Sequence, residues 1–171
     1  ARAAVEHLAG TGRRVVGTVT GPTDTTAGLD RLDGWRDAVA ARGLDASADL
    51  VAEGDWTAAS GERAMAELLD RRPDLDGVFV ASDTMAVGAL RALTAAGRRV
   101  PDDVGVVGFD GAALAEAADP PLSSVRQPAQ EMGQTLVRLL LTTMAGGRPE
   151  NVLFPVELEV RASSAPAKER A

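Results

Sequence analysis

Two apolar runs, each ending abruptly at a polar residue, constrain this chain more than any other feature. The first run spans residues 78–81 and stops at Ser82-Asp83, and the second spans 104–109 and stops at Asp110. Runs that are apolar throughout are typical of parallel strands buried on both faces. In an open parallel sheet, ligands bind just outside the carboxyl ends of the strands. The pattern therefore predicts a hydroxyl and two carboxylates along one sheet edge, the layout of a small-molecule cleft.

Similar β-type runs alternate with helical patterns along the chain. Strands are predicted at 15–19, 49–52, 77–81, 104–109, 122–125, 152–154 and 157–160, and helices at 2–10, about 26–42, about 58–72, 84–97, 114–118 and 128–146. This alternation with short loops predicts an α/β fold, with a mainly parallel, Rossmann-like sheet flanked by helices. The chain opens on a helix whose preceding strand is missing, which suggests a piece of a longer protein.

Composition excludes several classes of protein. Apolar residues make up 45% of the 171 positions, which is enough for a buried core. The sequence contains no run of about 18 consecutive apolar residues, so no membrane span is predicted. The chain has no cysteine, so neither a disulfide framework nor a thiolate metal site is expected, and a reduced cytoplasm is the simpler location. A net charge of −7 argues against nucleic-acid binding by this segment itself.

Two residues after predicted strands could serve a ligand or the fold. Trp56 could stack on a sugar ring or a heterocycle, or could cover the helix that follows, and the sequence favours neither. Arg31 could hold hydroxyls or a carboxylate with its planar fork, although a surface salt bridge with Asp30 or Asp33 is the commoner fate of a helical arginine. Trp35 is predicted to lie in the core.

The polar residues that end the two apolar runs are predicted to have different roles. We expect Asp83 to cap the following helix, which leaves Ser82 as the better ligand donor. Asp110 precedes Gly111, and no long regular helix follows it directly. Because Asp110 has less capping duty, hydrogen bonding to a ligand is the favoured role there.

The sequence contains few residues that could form a catalytic site. His7 is the only histidine and lies on a helix far from the strand ends, where a surface or packing role is expected. With one histidine and no cysteine, a Ser-His-Asp or Cys-His site is disfavoured. No G-x-G-x-x-G or Walker loop is present, and Asp102-Asp103 reads as a solvent-exposed turn. We therefore expect no enzyme, no cofactor and no metal site.

Several segments together resemble the lactose/galactose repressor (LacI/GalR) family of bacterial transcription regulators. They are RLDGW (31–35), EGDW (53–56), ASDTMAVGAL (81–90), RVPDDVGVVGFD (99–110) and PPLSSVRQP (120–128). The last two are the most specific, since they combine unusual residue orders at matching separations. The resemblance extends from Val5 to about Pro166.

The resemblance implies a domain organisation. Family members carry a helix-turn-helix domain, a hinge helix and a two-lobed effector-binding core with the type I periplasmic-binding-protein-like fold. Residues 1–127 resemble the C-terminal lobe of that core, 128–156 a helix and strand that cross to the N-terminal lobe, and 157–165 a strand that returns. Residues 166–171 form a tail. The DNA-binding domain and most of the N-terminal lobe are not in this chain.

The resemblance also implies effector contacts at Arg31, Trp56, Ser82 and Asp110, with Gln127 near the crossover. Ser82 stands where many sugar-responsive members have asparagine, which leaves the effector open, while Trp56 with Asp110 favours a sugar over a purine. The implied function is that of a cytoplasmic homodimer whose lobe orientation, biased by a small-molecule effector, sets its affinity for operator DNA. The alternative is a periplasmic sugar-binding protein of a transport system.

Overall fold

The computed structural model describes residues 1–165, which form one six-stranded sheet in the order β2-β1-β3-β4-β5-β6. The described strands are Val16–Thr20 (β1), Val51–Glu53 (β2), Gly77–Val80 (β3), Gly105–Asp110 (β4), Ser123–Arg126 (β5) and Glu157–Glu159 (β6). Strands β1 to β5 are parallel, and β6 runs antiparallel to β5. The predicted α/β fold with a mainly parallel sheet is confirmed.

Helices flank and connect these strands. The described helices are Arg2–Gly10 (α1), Thr26–Ala41 (α2), Ala58–Arg71 (α3), Asp83–Ala95 (α4), Ala113–Glu116 (α5) and Ala129–Met144 (α6). Helices α2 and α3 begin where predicted, because the side chains of Thr25 and Thr57 accept hydrogen bonds from the N–H groups of Gly28 and Ser60, which have no partner within the helix.

The order of the strands creates a crevice. After β1 the chain passes to β2 on one side and then returns to β3 on the other, so that β1 and β3 are direct neighbours. Such a reversal is a topological switch point, where the loops at the carboxyl ends of the strands separate and leave room for a ligand. The segments that follow β1, β2, β3 and β4 therefore surround one opening.

The core lies on both faces of the sheet, and every residue of β1 and β3 is buried. Trp35 of α2 is fully buried, and its indole N–H donates to the carbonyl oxygen of Val16 at 3.1 Å. Phe79 and Phe109 meet edge to face, with ring centroids 6.4 Å apart. The prediction that Trp35 belongs to the core is confirmed.

Helices α3 and α4 approach so closely that only glycine fits at their crossing. A Cβ on Gly61 would lie 2.1 Å from the carbonyl oxygen of Met85, and one on Gly88 would lie 1.9 Å from that of Ala58. Because α3 starts just after Trp56 and α4 starts just after Ser82, this contact fixes the spacing between two walls of the crevice.

Two local predictions are wrong. Ser82, and not Asp83, is the N-cap of α4, since the Ser82 hydroxyl accepts the N–H of Met85 at 3.2 Å while Asp83 is already helical. Residues 152–154 do not form a strand. Leu153 is 96% exposed there, and a strand needs a neighbouring strand to pair its backbone.

Two further predictions concern the ends and the membrane. The predicted tail at 166–171 lies outside the described residues. Within residues 1–165, no helix combines the length and the apolar character needed to cross a membrane.

Candidate functional site

A cavity of about 440 Å³ opens at the carboxyl ends of the strands, and it brings together four of the five predicted site residues. Its lining consists of Thr25, Ala27, Arg31, Trp56, Ser82, Thr84 and Asp110. The fifth residue, Gln127, lines an adjoining cavity of about 960 Å³ together with Asp110 and the start of α6. The strand-end argument therefore located the walls of one pocket. We call it the effector pocket, after the role that the family resemblance implies for its residues.

Arg31 is held from three sides. Its Nη1 donates to the carbonyl oxygen of Ala81 at 2.7 Å, and its guanidinium carbon lies 4.0 Å from the ring centre of Phe109. On the other side the same carbon lies 5.3 Å from the ring centre of Trp56. These cation–π contacts fix the plane of the guanidinium, so that its remaining N–H groups face the pocket in one orientation.

The alternative interpretation of Arg31, a surface ion pair within α2, is not observed. Asp33 pairs with Arg36 at 3.0 Å, whereas Arg31 Nη2 lies 3.7 Å from Asp110 Oδ1. The Arg31 side chain is only 16% exposed. Burial lowers the pKa of Arg31, and the charge of Asp110 opposes that shift.

Asp110 presents a carboxylate that is fixed but accessible, with 37% of its side chain exposed. Gln127 Nε2 donates to Asp110 Oδ1 at 2.8 Å, and the Gln127 N–H donates to the Asp110 carbonyl oxygen at 3.2 Å. Burial raises the pKa of Asp110, while Arg31 and the Gln127 hydrogen bond lower it. Gln127 therefore orients Asp110, leaving the carboxylate able to accept hydrogen bonds from ligand hydroxyls.

Trp56 reaches the pocket through an unusual backbone conformation, with φ of 72°. Its indole rests on the backbone of Gly21, where an added Cβ would lie 2.0 Å from the indole Cη2. Non-glycine residues with positive φ are uncommon, and they concentrate at functional sites. The indole thus forms one apolar wall beside the polar Arg31–Asp110 pair.

Ser82 is 5% exposed and lies at the end of β3, where its hydroxyl caps α4. A hydroxyl that accepts one hydrogen bond still has a proton to donate. Ser82 lines the pocket, as the strand-end argument predicted. It also caps α4, a role that was expected of Asp83.

The periplasmic binding protein-like domain family matches residues 5–164. The chain belongs to this family. Curated relatives of this chain include HTH-type transcriptional regulators, which confirms the resemblance to the lactose/galactose repressor family. CelR of Thermobifida fusca is 49% identical over 156 residues, covering 91% of this chain and 46% of the relative. AscG of Escherichia coli K12 is 38% identical over 144 residues, covering 84% and 43%.

Comparison with solved structures also finds transcriptional regulators. A complex of the regulator CelR with cellobiose matches with a TM-score of 0.92 and 48% identity, covering 95% of this chain and 50% of that one. A dimeric Lac repressor with a C-terminal deletion matches with a TM-score of 0.89 and 33% identity, covering 98% and 61%. The chain spans about half the length of the curated relatives it matches.

Besides Thr25, the N-cap of α2, three contributors to the effector pocket were not predicted. Thr84 lies in the first turn of α4, Ala27 in that of α2, and Phe109 beneath Arg31. The strand-end argument would have found Thr84, which follows β3 by a few residues. Nothing in the sequence distinguishes Phe109 from the other apolar residues of β4, so its contact with Arg31 could not be predicted.

The remaining candidates have structural roles. The His7 ring nitrogen Nε2 lies 2.8 Å from the Ser164 hydroxyl, away from the effector pocket, in line with the predicted packing role. The side chain of Asp103 is only 18% exposed and binds Arg99 at 2.7 Å, so this part of the Asp102-Asp103 turn is less exposed than predicted. Across residues 1–165, no cluster of three His, Cys, Asp or Glu side chains could hold a metal ion.

Proposed function

We propose that this chain is the effector-sensing module of a DNA-binding transcriptional regulator, and that its effector is a sugar. The observation that carries the proposal is the pairing of Arg31 with Asp110 beside the Trp56 indole, at the switch point of the sheet. A planar cation and a carboxylate bind neighbouring hydroxyls, and an indole stacks on the C–H face of a sugar ring.

The charge of the pocket favours an uncharged effector. Arg31 and Asp110 face each other at 3.7 Å, so their charges largely cancel. A phosphorylated or carboxylated ligand would need an unpaired cation, whereas a neutral polyol needs fixed donors and acceptors. Cellobiose, the ligand of the related CelR structure, is therefore the first compound to test.

In the proposed mechanism the effector acts only through its differential affinity for two lobe orientations. The orientation that the sugar binds better becomes more populated, which changes the operator affinity of a homodimer by the same coupling free energy. Such a module carries out no catalysis, and it would act in the cytoplasm, where operator DNA is found. The regulators among the relatives support this proposal over the alternative, a transport binding protein.

We further propose that residues 1–127 form one lobe, that 128–156 cross to a second lobe outside this chain, and that 157–165 return. Helix α6 supports this arrangement, because one of its faces carries large apolar side chains that are between 58% and 75% exposed: Leu136, Val137, Leu140, Leu141 and Met144. Strand β6 then rejoins the sheet beside β5. A soluble lobe would hide such a face against a partner surface.

The test uses the full-length protein. Calorimetric titration with cellobiose, maltose and a purine nucleoside identifies the effector class, and operator-DNA anisotropy measures the coupling. We expect saturable cellobiose binding that is lost in Asp110→Ala and Trp56→Ala. It should persist in Asp37→Ala, an exposed aspartate of α2 that pairs with Arg2. Binding of the nucleoside alone would contradict the sugar proposal, and a sugar that leaves DNA affinity unchanged would contradict the regulator.

A further inference from the structure

Asp83 is a fully buried carboxylate in the first turn of α4. It takes part in none of the ion pairs formed within residues 1–165. Burial raises its pKa above the ordinary value, hydrogen bonds from Ser124 and the Ala112 N–H oppose that shift, and the charge of Asp110 adds to it. A buried carboxylate without a cation is costly, so its presence calls for a specific role in the structure.

The Asp83 side chain binds the segment that follows Asp110. Its Oδ2 accepts the N–H of Ala112 at 2.8 Å, and its Oδ1 accepts the Ser124 hydroxyl at 2.7 Å. The Ser124 oxygen in turn accepts the N–H of Gly111 at 3.1 Å. The two backbone amides that come directly after Asp110 are thus tied to one carboxylate, the first through a serine.

This segment needs such restraint because its backbone is unusual. Asp110 has φ of 118° and Gly111 has φ of 70°. A non-glycine residue at such an angle is strained, and it persists only where its surroundings determine it. A Cβ on Gly111 would also lie 2.5 Å from the Arg126 side chain, so the turn is closely confined.

The space for Asp83 is itself provided by glycine. A Cβ added to Gly108 of β4 would lie 2.3 Å from Asp83 Oδ1. On its other side, the backbone N–H of Asp83 faces the Asp110 carboxylate and lowers the pKa of Asp110. One residue therefore lies beside Asp110 through its main chain and binds the following turn through its side chain.

We propose that Asp83 is a positioning residue, which sets the orientation of the Asp110 carboxylate in the effector pocket by holding the turn at Gly111-Ala112. The proposal rests on the proposed function of that pocket. Asparagine cannot replace Asp83 fully. If its amide nitrogen faces Ser124, the serine proton loses its acceptor, and if the amide is reversed, the N–H of Ala112 faces a donor.

The first experiment measures the turn without ligand. Backbone hydrogen exchange of the 110–113 segment is followed by mass spectrometry in the full-length protein. We expect faster exchange in Asp83→Asn and Ser124→Ala. Ser163→Ala is the matched control, because Ser163 is equally buried but donates to the carbonyl oxygen of Val106. Unchanged exchange in Asp83→Asn would overturn the proposal whatever the effector is.

The second experiment is a double-mutant cycle with cellobiose as the probe. We expect Asp83→Asn to weaken binding about tenfold, the scale of one lost hydrogen bond. The loss should shrink to less than about twofold in an Asp110→Asn background and persist in a Trp56→Phe background. An equal loss in both backgrounds would show a merely structural role. Absence of cellobiose binding to the parent protein would contradict the proposed effector, while the exchange measurement still decides the role of Asp83.

Discussion

Arg31 and Asp110 face each other across the effector pocket, with Nη2 and Oδ1 3.7 Å apart, and further groups hold each of the two side chains in place. The Ala81 carbonyl oxygen and the ring of Phe109 fix Arg31, while Gln127 fixes Asp110. Both ends of the pair are therefore oriented before a ligand arrives. Such preorganisation lowers the entropic cost of binding a ligand.

Arg31→Lys should weaken effector binding in the full-length protein. Lysine keeps the charge but lacks the planar fork and the stacking on Phe109 and Trp56, so we expect a loss of about 1.5–3 kcal/mol in binding free energy. Isothermal titration calorimetry measures the loss. Arg36→Lys is the control, since Arg36 lies exposed on the same helix and pairs with Asp33. Equal affinities for both variants would contradict the ligand role of Arg31.

Gly21→Ala should displace the indole of Trp56 without touching a ligand directly. The new Cβ would lie 2.0 Å from Cη2, so the ring must move. We expect an affinity loss of about two- to tenfold, the scale of an aromatic contact. A shift of Trp56 fluorescence, measured in a Trp35→Phe background, should accompany it. Gly10→Ala, where a Cβ meets no atom within 4 Å, should change neither quantity.

Trp35→Phe should lower stability but leave effector affinity unchanged. The substitution deprives the Val16 carbonyl oxygen of its indole donor in a fully buried site, at a cost of about 1–3 kcal/mol in the free energy of unfolding. Thermal unfolding and calorimetric titration measure the two effects. An affinity loss as large as that of Trp56→Phe would contradict the division between a core tryptophan and a pocket tryptophan.

Asp83→Asn should change how stability depends on pH. The pKa of Asp83 is raised above its ordinary value of 3.8, so folding favours the protonated form. The contribution of this carboxyl is fully present below its unfolded pKa and is lost as pH rises through its folded pKa. We therefore expect the melting temperature of the parent protein to fall relative to that of Asp83→Asn as pH rises from about 3 to 7. A difference that stays constant, or moves the other way, would contradict this sign.

Leu140→Ala tests the proposed second lobe. Leu140 is 59% exposed within the described residues. If the second lobe covers α6, the substitution should cost roughly 2–5 kcal/mol in the full-length protein, as for a buried leucine. Thr142→Ala, at an exposed position on the opposite face of α6, should stay within about 0.5 kcal/mol. Equal effects of the two substitutions on thermal unfolding would argue against a covered face.

Hydropathy pattern alone determined the sheet and the edge where the pocket lies. The apolar runs at 78–81 and 104–109 are buried strands, and the residues at their ends, Ser82 and Asp110, line one cavity. A strand that is buried on both faces leaves a continuous apolar run in the sequence, and such a run can be recognised without knowing its distant neighbours. The family resemblance then favoured the ligand role for Arg31 and Trp56, which their positions had left open, and it added Gln127. The structure places all three beside those strand ends.

Tertiary structure decided which polar group performs which task. Ser82 rather than Asp83 caps α4, because Asp83 turns inward to Ser124 and Ala112, residues 41 and 29 positions away. Residues 152–154 read as a strand but have none beside them to pair with among the described residues. Trp56, which the sequence left open, faces the pocket because Gly21 makes room for its ring. Each outcome depends on groups brought together by strand order, and a local pattern carries no information about those distant partners.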